Sequence, residues 1–87
     1  MSDTSFIQLF YVALEAYLQQ AETEVRNGNL SAARKIAHKM LGLCQLFGTP
    51  EQTALCEQAE HSKSLPNLKI ILNDLRKMLS DNKADRQ

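Results

Sequence analysis

Hydrophobic residues recur at steps of three and four positions in four segments of the chain, and short polar stretches separate these segments. Steps of this size place side chains on one face of an α-helix, whereas a half-buried strand would show strict alternation. We therefore predict a first helix over residues 4–26. Its apolar face comprises Phe6, Phe10, Ala13, Leu14, Tyr17, Leu18, Ala21 and Val25.

Turn and capping residues set the limits of the second helix. Gly28 favours the left-handed backbone that stops a helix, and the side chain of Asn29 is suited to cap the next one. Gly48 follows the last apolar residue of the segment and provides the next stop. The second helix is therefore predicted over residues 30–47.

Similar signals delimit the third and fourth helices. Thr49, Pro50 and Gln52 form a capping box with a first-turn proline, which starts a helix over residues 50–62. The helical pattern restarts for residues 66–80, and the polar tail 81–87 is expected to fray. The inward positions are Ala54, Leu55, Cys56 and Ala59 in the third helix, and Leu68, Ile71, Leu72, Leu75, Met78 and Leu79 in the fourth.

Four amphipathic helices with short links predict an all-α fold, an antiparallel up-down-up-down four-helix bundle. The 87 residues are too few to build two separate hydrophobic cores, so we expect residues 1–87 to form a single domain. A hydrophobic content of 44% with only three Gly and two Pro favours long regular elements.

The charge balance limits the classes of partner. Ten basic and ten acidic residues give a formal net charge of zero, so no overall field attracts nucleic acid or an anionic membrane. The apolar runs fall far short of the roughly 20 residues that cross a bilayer, and the first residues lack the basic start of a secretory leader. These features predict a cytoplasmic protein that neither binds nucleic acid nor inserts into membranes.

Two cysteines, Cys44 and Cys56, fit a reduced protein in which both are buried as small hydrophobic residues. With His38 and His61 they make four possible zinc ligands, but their spacing matches no common zinc motif, so no metal is expected. His61 falls near the end of the third helix, where a partly positive imidazole suits the helix dipole.

The second helix has one apolar side, and His38 lies on the other. At about 100° per residue, four apolar residues lie opposite His38, namely Ile36, Met40, Leu43 and Phe47. Burying them turns His38 toward solvent. Within about 60° of His38, the open strip also carries Ser31, Arg34, Lys35, Leu41, Gly42 and Gln45.

An exposed imidazole is largely neutral near pH 7 and has a free lone pair for attack on phosphorus, although most surface histidines are simply solvated. Gly42 lowers helix stability by up to about 1 kcal/mol, which suggests that something approaches the backbone there. The alternative is that Gly42 only allows another helix to pack closely.

Residues 37–48, AHKMLGLCQLFG, resemble the active helix of histidine phosphotransfer (HPt) domains, whose pattern is A-H-x-L-K-G-x-x-x-x-[LF]-G. Residues 28–36 resemble the G-D-L-x-x-A-R-x-x entry into that helix, and residues 54–60 resemble the family's A-x-L-C-x-x-L-E third helix. The resemblance covers most of the chain and implies that His38 is the phosphoacceptor.

One position departs from the family pattern. The usual lysine three residues after the histidine is Leu41 here, while Lys39, one residue after it, lies about 100° away around the helix. Lys39 is still expected among the residues that support the phosphoryl group or the docking partner. Lys35 or Arg34, about one turn before His38, is the substitute that we expect to reach the phosphoryl oxygens. The docking surface is expected to include Leu41, Gly42, Gln45 and Leu46, with first-helix residues near Phe10 or Tyr11, although Tyr11 also fits a core position with its hydroxyl at the rim.

The resemblance implies a phosphoryl carrier rather than a complete enzyme. A response-regulator receiver domain, either separate or part of a hybrid sensor histidine kinase, would supply the phospho-aspartate and the Mg²⁺, so no cofactor is expected on this chain. Because the usual lysine is missing, a second hypothesis is a helical adaptor that binds a receiver or kinase domain without phosphotransfer. We expect a monomer, since the apolar stripes suffice for one bundle.

Overall fold

A computed structural model describes the backbone of residues 3–85 and the side chains of residues 6–82. It contains α1 (Asp3–Arg26), α2 (Leu30–Phe47), α3 (Pro50–Glu60) and α4 (Leu65–Asp85). No strand occurs within residues 3–85. The predicted all-helical class is confirmed.

The predicted caps form at the starts of α2 and α3. Gly28 has a positive φ of 78°, and the Asn29 side chain accepts a hydrogen bond from the backbone N–H of Ala32 at 3.3 Å. The Thr49 hydroxyl accepts from the Gln52 N–H at 3.1 Å, while Gln52 Oε1 accepts from the Thr49 N–H at 2.9 Å. These bonds satisfy backbone donors that a helix start leaves without partners, which is why these two boundaries were readable from the sequence.

The end of α3 and the start of α4 differ slightly from the predicted boundaries. Helix α3 stops at Glu60 rather than at residue 62 because the chain turns at Ser62, which is buried. The Ser62 hydroxyl donates to the Ser64 carbonyl at 3.2 Å and accepts from Asn67 Nδ2 at 2.9 Å. This small network satisfies the polar groups of the turn and lets α4 begin at Leu65.

Helix α4 continues to Asp85, so the expected fraying is wrong for residues 81–85, while residues 86–87 lie outside the described residues. The buried Leu79 anchors the last apolar turn, and the helix continues beyond it although Ser80, Asp81 and Asn82 have low helix propensity.

The hydrophobic core runs along the middle of the bundle. Helix α1 packs on α2 and α4, and α3 packs on the same two helices. The largest fully buried apolar side chains are Leu14, Leu18, Met40, Leu68, Leu72, Leu75 and Leu79. None of the described helices has the length and apolar character needed to cross a membrane.

Three residues that were expected to point inward do not. Phe6 and Phe47 are 57% and 48% exposed, because they lie near the ends of α1 and α2. Their rings pack on each other, with centroids 5.0 Å apart. Ala54 is exposed, because α3 turns Gln52, Cys56 and Ala59 toward the core instead. The period of the pattern was correct, but the rotation of α3 was not determined by it.

Candidate functional site

The buried side of α2 is rotated relative to the predicted one. Its buried residues are Ala33, Ala37, Met40, Leu41 and Cys44, while Ile36 and Leu43 are only partly buried. The rotation arises because α2 packs against both α1 and α3, so its buried arc is wider and extends toward α3. The expectation that Leu41 lies on the open strip is therefore wrong: Leu41 is 9% exposed and belongs to the core.

His38 lies on the opposite, outer side of α2, and its side chain is 70% exposed. This confirms its predicted outward direction. The buried face of α2 lies closer to α3 than predicted, but it does not include His38. The other predicted strip residues that the structure leaves exposed are Ser31, Arg34, Lys35, Gly42 and Gln45, and Lys39 is exposed beside them.

The imidazole of His38 is held by a carboxylate from the neighbouring helix. His38 Nδ1 lies 2.8 Å from Oε2 of Glu60, the last residue of α3, whose side chain is only 24% exposed. An ionised carboxylate only accepts hydrogen bonds, so the proton of a neutral imidazole resides on Nδ1. The lone pair of Nε2 then remains available for a reaction.

Arg34 fixes the residue that holds His38. Its Nε donates to the backbone carbonyl of Glu60 at 2.8 Å, which satisfies one of the carbonyls left without a partner at the end of α3. Arg34, one turn before His38 on α2, thus ties the end of α3 to the helix that carries the imidazole. The predicted role of Arg34 as a direct phosphoryl ligand has to compete with this contact.

An open cleft of about 890 Å³ lies beside the imidazole. Two exposed ammonium groups, those of Lys35 and Lys39, line it with His38. The remaining lining residues are Leu30, Ser31, Arg34 and Glu60. The cleft therefore combines an exposed imidazole with three cations and one carboxylate, an arrangement with an excess of positive charge that suits an anion.

Gly42 lies one turn beyond His38, on the exposed strip. A Cβ atom added there would meet nothing within 4 Å. This rules out the alternative that Gly42 allows another helix of this chain to pack closely. The bare backbone instead leaves a gap in the outer surface next to the imidazole.

An apolar surface adjoins the strip at the end of α2. Leu46 is 75% exposed, and a small hollow of about 290 Å³ is lined by Phe6, Ile7, Phe10 and Phe47. Phe10 itself is 6% exposed and is mainly a core residue.

Tyr11 occupies the second of the two positions that its sequence context allowed. It is half-buried, and its hydroxyl accepts a hydrogen bond from Nε2 of the buried Gln52 at 3.1 Å. Tyr11 therefore sits at the rim of the core with its polar group satisfied.

Glu60 is the site residue that sequence reasoning missed. It stands 22 positions from His38, and a charged residue at a helix end usually has no more specific role than solvation. The available signal was the glutamate that closes the third-helix motif in residues 54–60, which supported the resemblance without being assigned a contact.

The other candidate ligands do not converge on one point. In the part of the chain that the structure describes, no three His, Cys, Asp or Glu side chains form a group that could hold a metal ion. His61 is exposed at the C-cap of α3, as its position in the sequence indicated.

Comparison with known families agrees with this geometry. The family model described as Hpt domain matches residues 5–85. Neither the curated proteins nor the solved structures gave a match to the chain. Hpt domains are helical bundles that carry phosphoryl groups in two-component phosphorelays and have receiver domains as partners. Because the match spans nearly the whole chain, this protein belongs to the Hpt domain family.

Proposed function

We propose that this protein is a phosphorelay intermediate, which accepts a phosphoryl group from a receiver-domain aspartate onto His38 and passes it to another receiver domain. The observation that carries this proposal is the contact between the exposed His38 and Glu60. The Glu60 carboxylate accepts a hydrogen bond from Nδ1, so Nε2, on the other side of the ring, does not contact it. The reactive atom is therefore Nε2.

The transfer needs no proton movement on this chain. The Nε2 lone pair forms a bond to phosphorus while the bond from phosphorus to the aspartyl oxygen breaks, and that electron pair leaves with the aspartate carboxylate. The imidazole ring gains positive charge, which the adjacent Glu60 carboxylate stabilises. A Mg²⁺ ion held by the receiver would neutralise phosphoryl charge, and the reverse steps deliver the group to the next receiver.

Lys35 and Lys39 are the cations that we assign to the phosphoryl oxygens in place of the lysine that Leu41 replaces. Both are exposed in the cleft beside His38. Arg34 acts on the site through Glu60, to which its Nε donates. A cation on the surface of the cleft has the freedom to follow the phosphoryl group between two partners.

The receiver is proposed to dock over the outer face of α2. Gly42 leaves space for its backbone, Gln45 offers a polar contact, and Leu46 offers exposed apolar surface. Close approach at Gly42 would bring the aspartyl phosphate to the imidazole one helical turn away.

We further infer the finer architecture: one domain over residues 1–87, with the helices running up-down-up-down. Contacts between the start of one helix and the end of the next support antiparallel neighbours, as with Phe6 and Phe47 or Arg34 and Glu60. A monomer in the cytoplasm remains part of the proposal.

The second candidate is an adaptor that binds a receiver or kinase domain without phosphotransfer. It is favoured by Leu41, because a buried leucine replaces the lysine of the family pattern. The two candidates share the docking face and differ in whether His38 reacts.

One experiment separates the candidates. A receiver domain charged with radiolabelled acetyl phosphate in Mg²⁺ is mixed with the protein, and acid-labile label on this chain is measured. Wild type and His61→Gln, which changes an exposed histidine outside the cleft, should be labelled, whereas His38→Gln should not. Binding of the charged receiver without any label would support the adaptor, and equal labelling of His38→Gln would refute His38 as acceptor.

A further inference from the structure

Cys44 of α2 and Cys56 of α3 are the two cysteines of the chain, and the fold brings them together. They are 1% and 0% exposed, and their Sγ atoms lie 3.8 Å apart. Both thiols are free. A disulfide requires the sulfurs to approach to about 2 Å, so the two side chains have to move together from their present separation.

The two thiols differ chemically although they share one environment. The hydrogen bond from Cys56 lowers the pKa of the Cys44 thiol, against the opposing effect of burial. That same hydrogen bond and burial raise the pKa of Cys56. When Cys56 donates this hydrogen bond, Cys44 is the member that gains thiolate character, and the thiolate is the nucleophile.

We propose that Cys44 and Cys56 are a modification site, at which a small peroxide converts the two thiols into a reversible disulfide across the α2–α3 interface. The Cys44 thiolate attacks one peroxide oxygen, the oxygen–oxygen bond breaks, and a sulfenic acid forms. The Cys56 sulfur then attacks the Cys44 sulfur and releases the oxygen as water. Two thiols and one hydrogen peroxide give one disulfide and two waters.

Burial determines how the peroxide reaches the pair. Neither thiol is accessible in the closed bundle, so the reaction proceeds through local opening of α3, an 11-residue helix. Burial also protects the sulfenic acid from other thiols, which favours the neighbouring Cys56 as its partner. The expected reaction is slow and intramolecular.

The cross-link would join the helices that carry His38 and Glu60. Cys44 lies six residues after His38 on α2, and Cys56 lies four residues before Glu60 on α3. Oxidation would therefore cross-link the α2–α3 interface, which positions the imidazole of His38. This inference does not depend on phosphotransfer, since the thiol pair is a property of the core.

The test is oxidation of the folded, full-length protein by hydrogen peroxide, followed by intact-mass analysis under non-reducing conditions. We expect the monomer to lose the mass of two hydrogen atoms, to lose both free thiols together, and to recover them in dithiothreitol. The melting temperature of the oxidised form should rise by roughly 10 °C, because the cross-link restricts the unfolded chain.

Cys44→Ala and Cys56→Ala are the matched variants: Cys56→Ala should give a sulfenic acid that dimedone traps, whereas Cys44→Ala, which leaves the thiol whose pKa burial raises, should react more slowly. Circular dichroism before oxidation checks that both fold, and the wild-type result stands without them. The proposal is overturned if peroxide adds oxygen to each cysteine of wild type independently, if only disulfide-linked dimers form, or if the disulfide appears only in urea.

Discussion

Two contacts of equal length, each between a basic side chain and a glutamate, join helices at different interfaces of the bundle, and they have different consequences. Arg76 Nη2 lies 2.8 Å from Glu22 Oε1, while its Nε donates to Oε2 at 3.1 Å, so α4 and α1 are linked by a two-point contact. His38 Nδ1 lies 2.8 Å from Glu60 Oε2 and links α2 to α3 at a single point.

The difference lies in what each contact leaves unused. The hydrogen bonds to Glu22 raise the pKa of the Arg76 guanidinium, which therefore stays charged and has no lone pair to offer. The bond to Glu60 occupies one nitrogen of His38 and leaves the other with its lone pair. The length of such a contact thus does not reveal its role, whereas the donors and lone pairs that its members keep free do.

The largest expected effect comes from exchanging the two basic members for glutamine. His38→Gln should abolish acid-labile labelling and change the free energy of unfolding by no more than about 0.5 kcal/mol, since the side chain is 70% exposed. Labelling assays combined with urea unfolding measure both. A loss of more than about 2 kcal/mol would mean that the ring has a packing role.

Arg76→Gln is the matched control for His38→Gln. It should retain full labelling and destabilise the fold by about 0.5–1 kcal/mol, a small value because water screens this partly exposed pair. Reduced labelling in Arg76→Gln would undermine the division into one structural and one reactive pair.

The next largest effect is expected at Gly42, where bulk should interfere with the partner and not with the fold. Gly42→Leu should reduce the transfer rate by more than about tenfold and leave stability unchanged or raised by up to about 1 kcal/mol, because a helix prefers leucine to glycine. Gly42→Ala, with a single methyl, should lie in between. Stopped-flow or quench-flow transfer assays measure the rates, and normal transfer by Gly42→Leu would contradict docking over this face.

Removing the carboxylate from the reactive pair should have an intermediate effect. Glu60→Ala should slow labelling about fivefold, because an exposed charge-assisted hydrogen bond contributes about 1 kcal/mol to holding the imidazole. Glu60→Gln keeps an acceptor for Nδ1 and should lose less. Glu22→Gln in the other pair should leave the rate unchanged, and an equal loss in all three variants would point to a general effect on the bundle.

The smallest effect concerns the cations of the cleft. Lys35→Ala should lower the extent of labelling two- to fourfold, corresponding to about 0.5–1 kcal/mol for an exposed contact to the phosphoryl group. Lys77→Ala, which removes an exposed cation from α4, is the control for a change in net charge. Identical labelling of Lys35→Ala, Lys39→Ala and Lys77→Ala would assign the phosphoryl charge to the receiver alone.

Local sequence signals determined the helices and the direction of His38. The Asn29 and Thr49 caps and the positive φ of Gly28 act within a few residues, so the starts of α2 and α3 were readable without knowledge of the tertiary structure. His38 lies on the opposite side of α2 from the predicted apolar face. It is therefore exposed even though the buried face differs moderately from the predicted one.

Contacts between helices decided the remainder. Periodicity gives the spacing of residues on a helical face but not how much of that face the neighbouring helices cover. Leu41 was therefore expected outside, whereas it is buried where α2 packs on the adjacent helices. Glu60 and the Cys44–Cys56 pair depend on the rotation of α3 against α2, which residues far apart in the chain set jointly. The sequence by itself therefore determined the helices and the candidate acceptor, and only tertiary packing decided which partners surround them, because side-chain burial depends on the neighbouring surfaces as well as on each helix's own pattern.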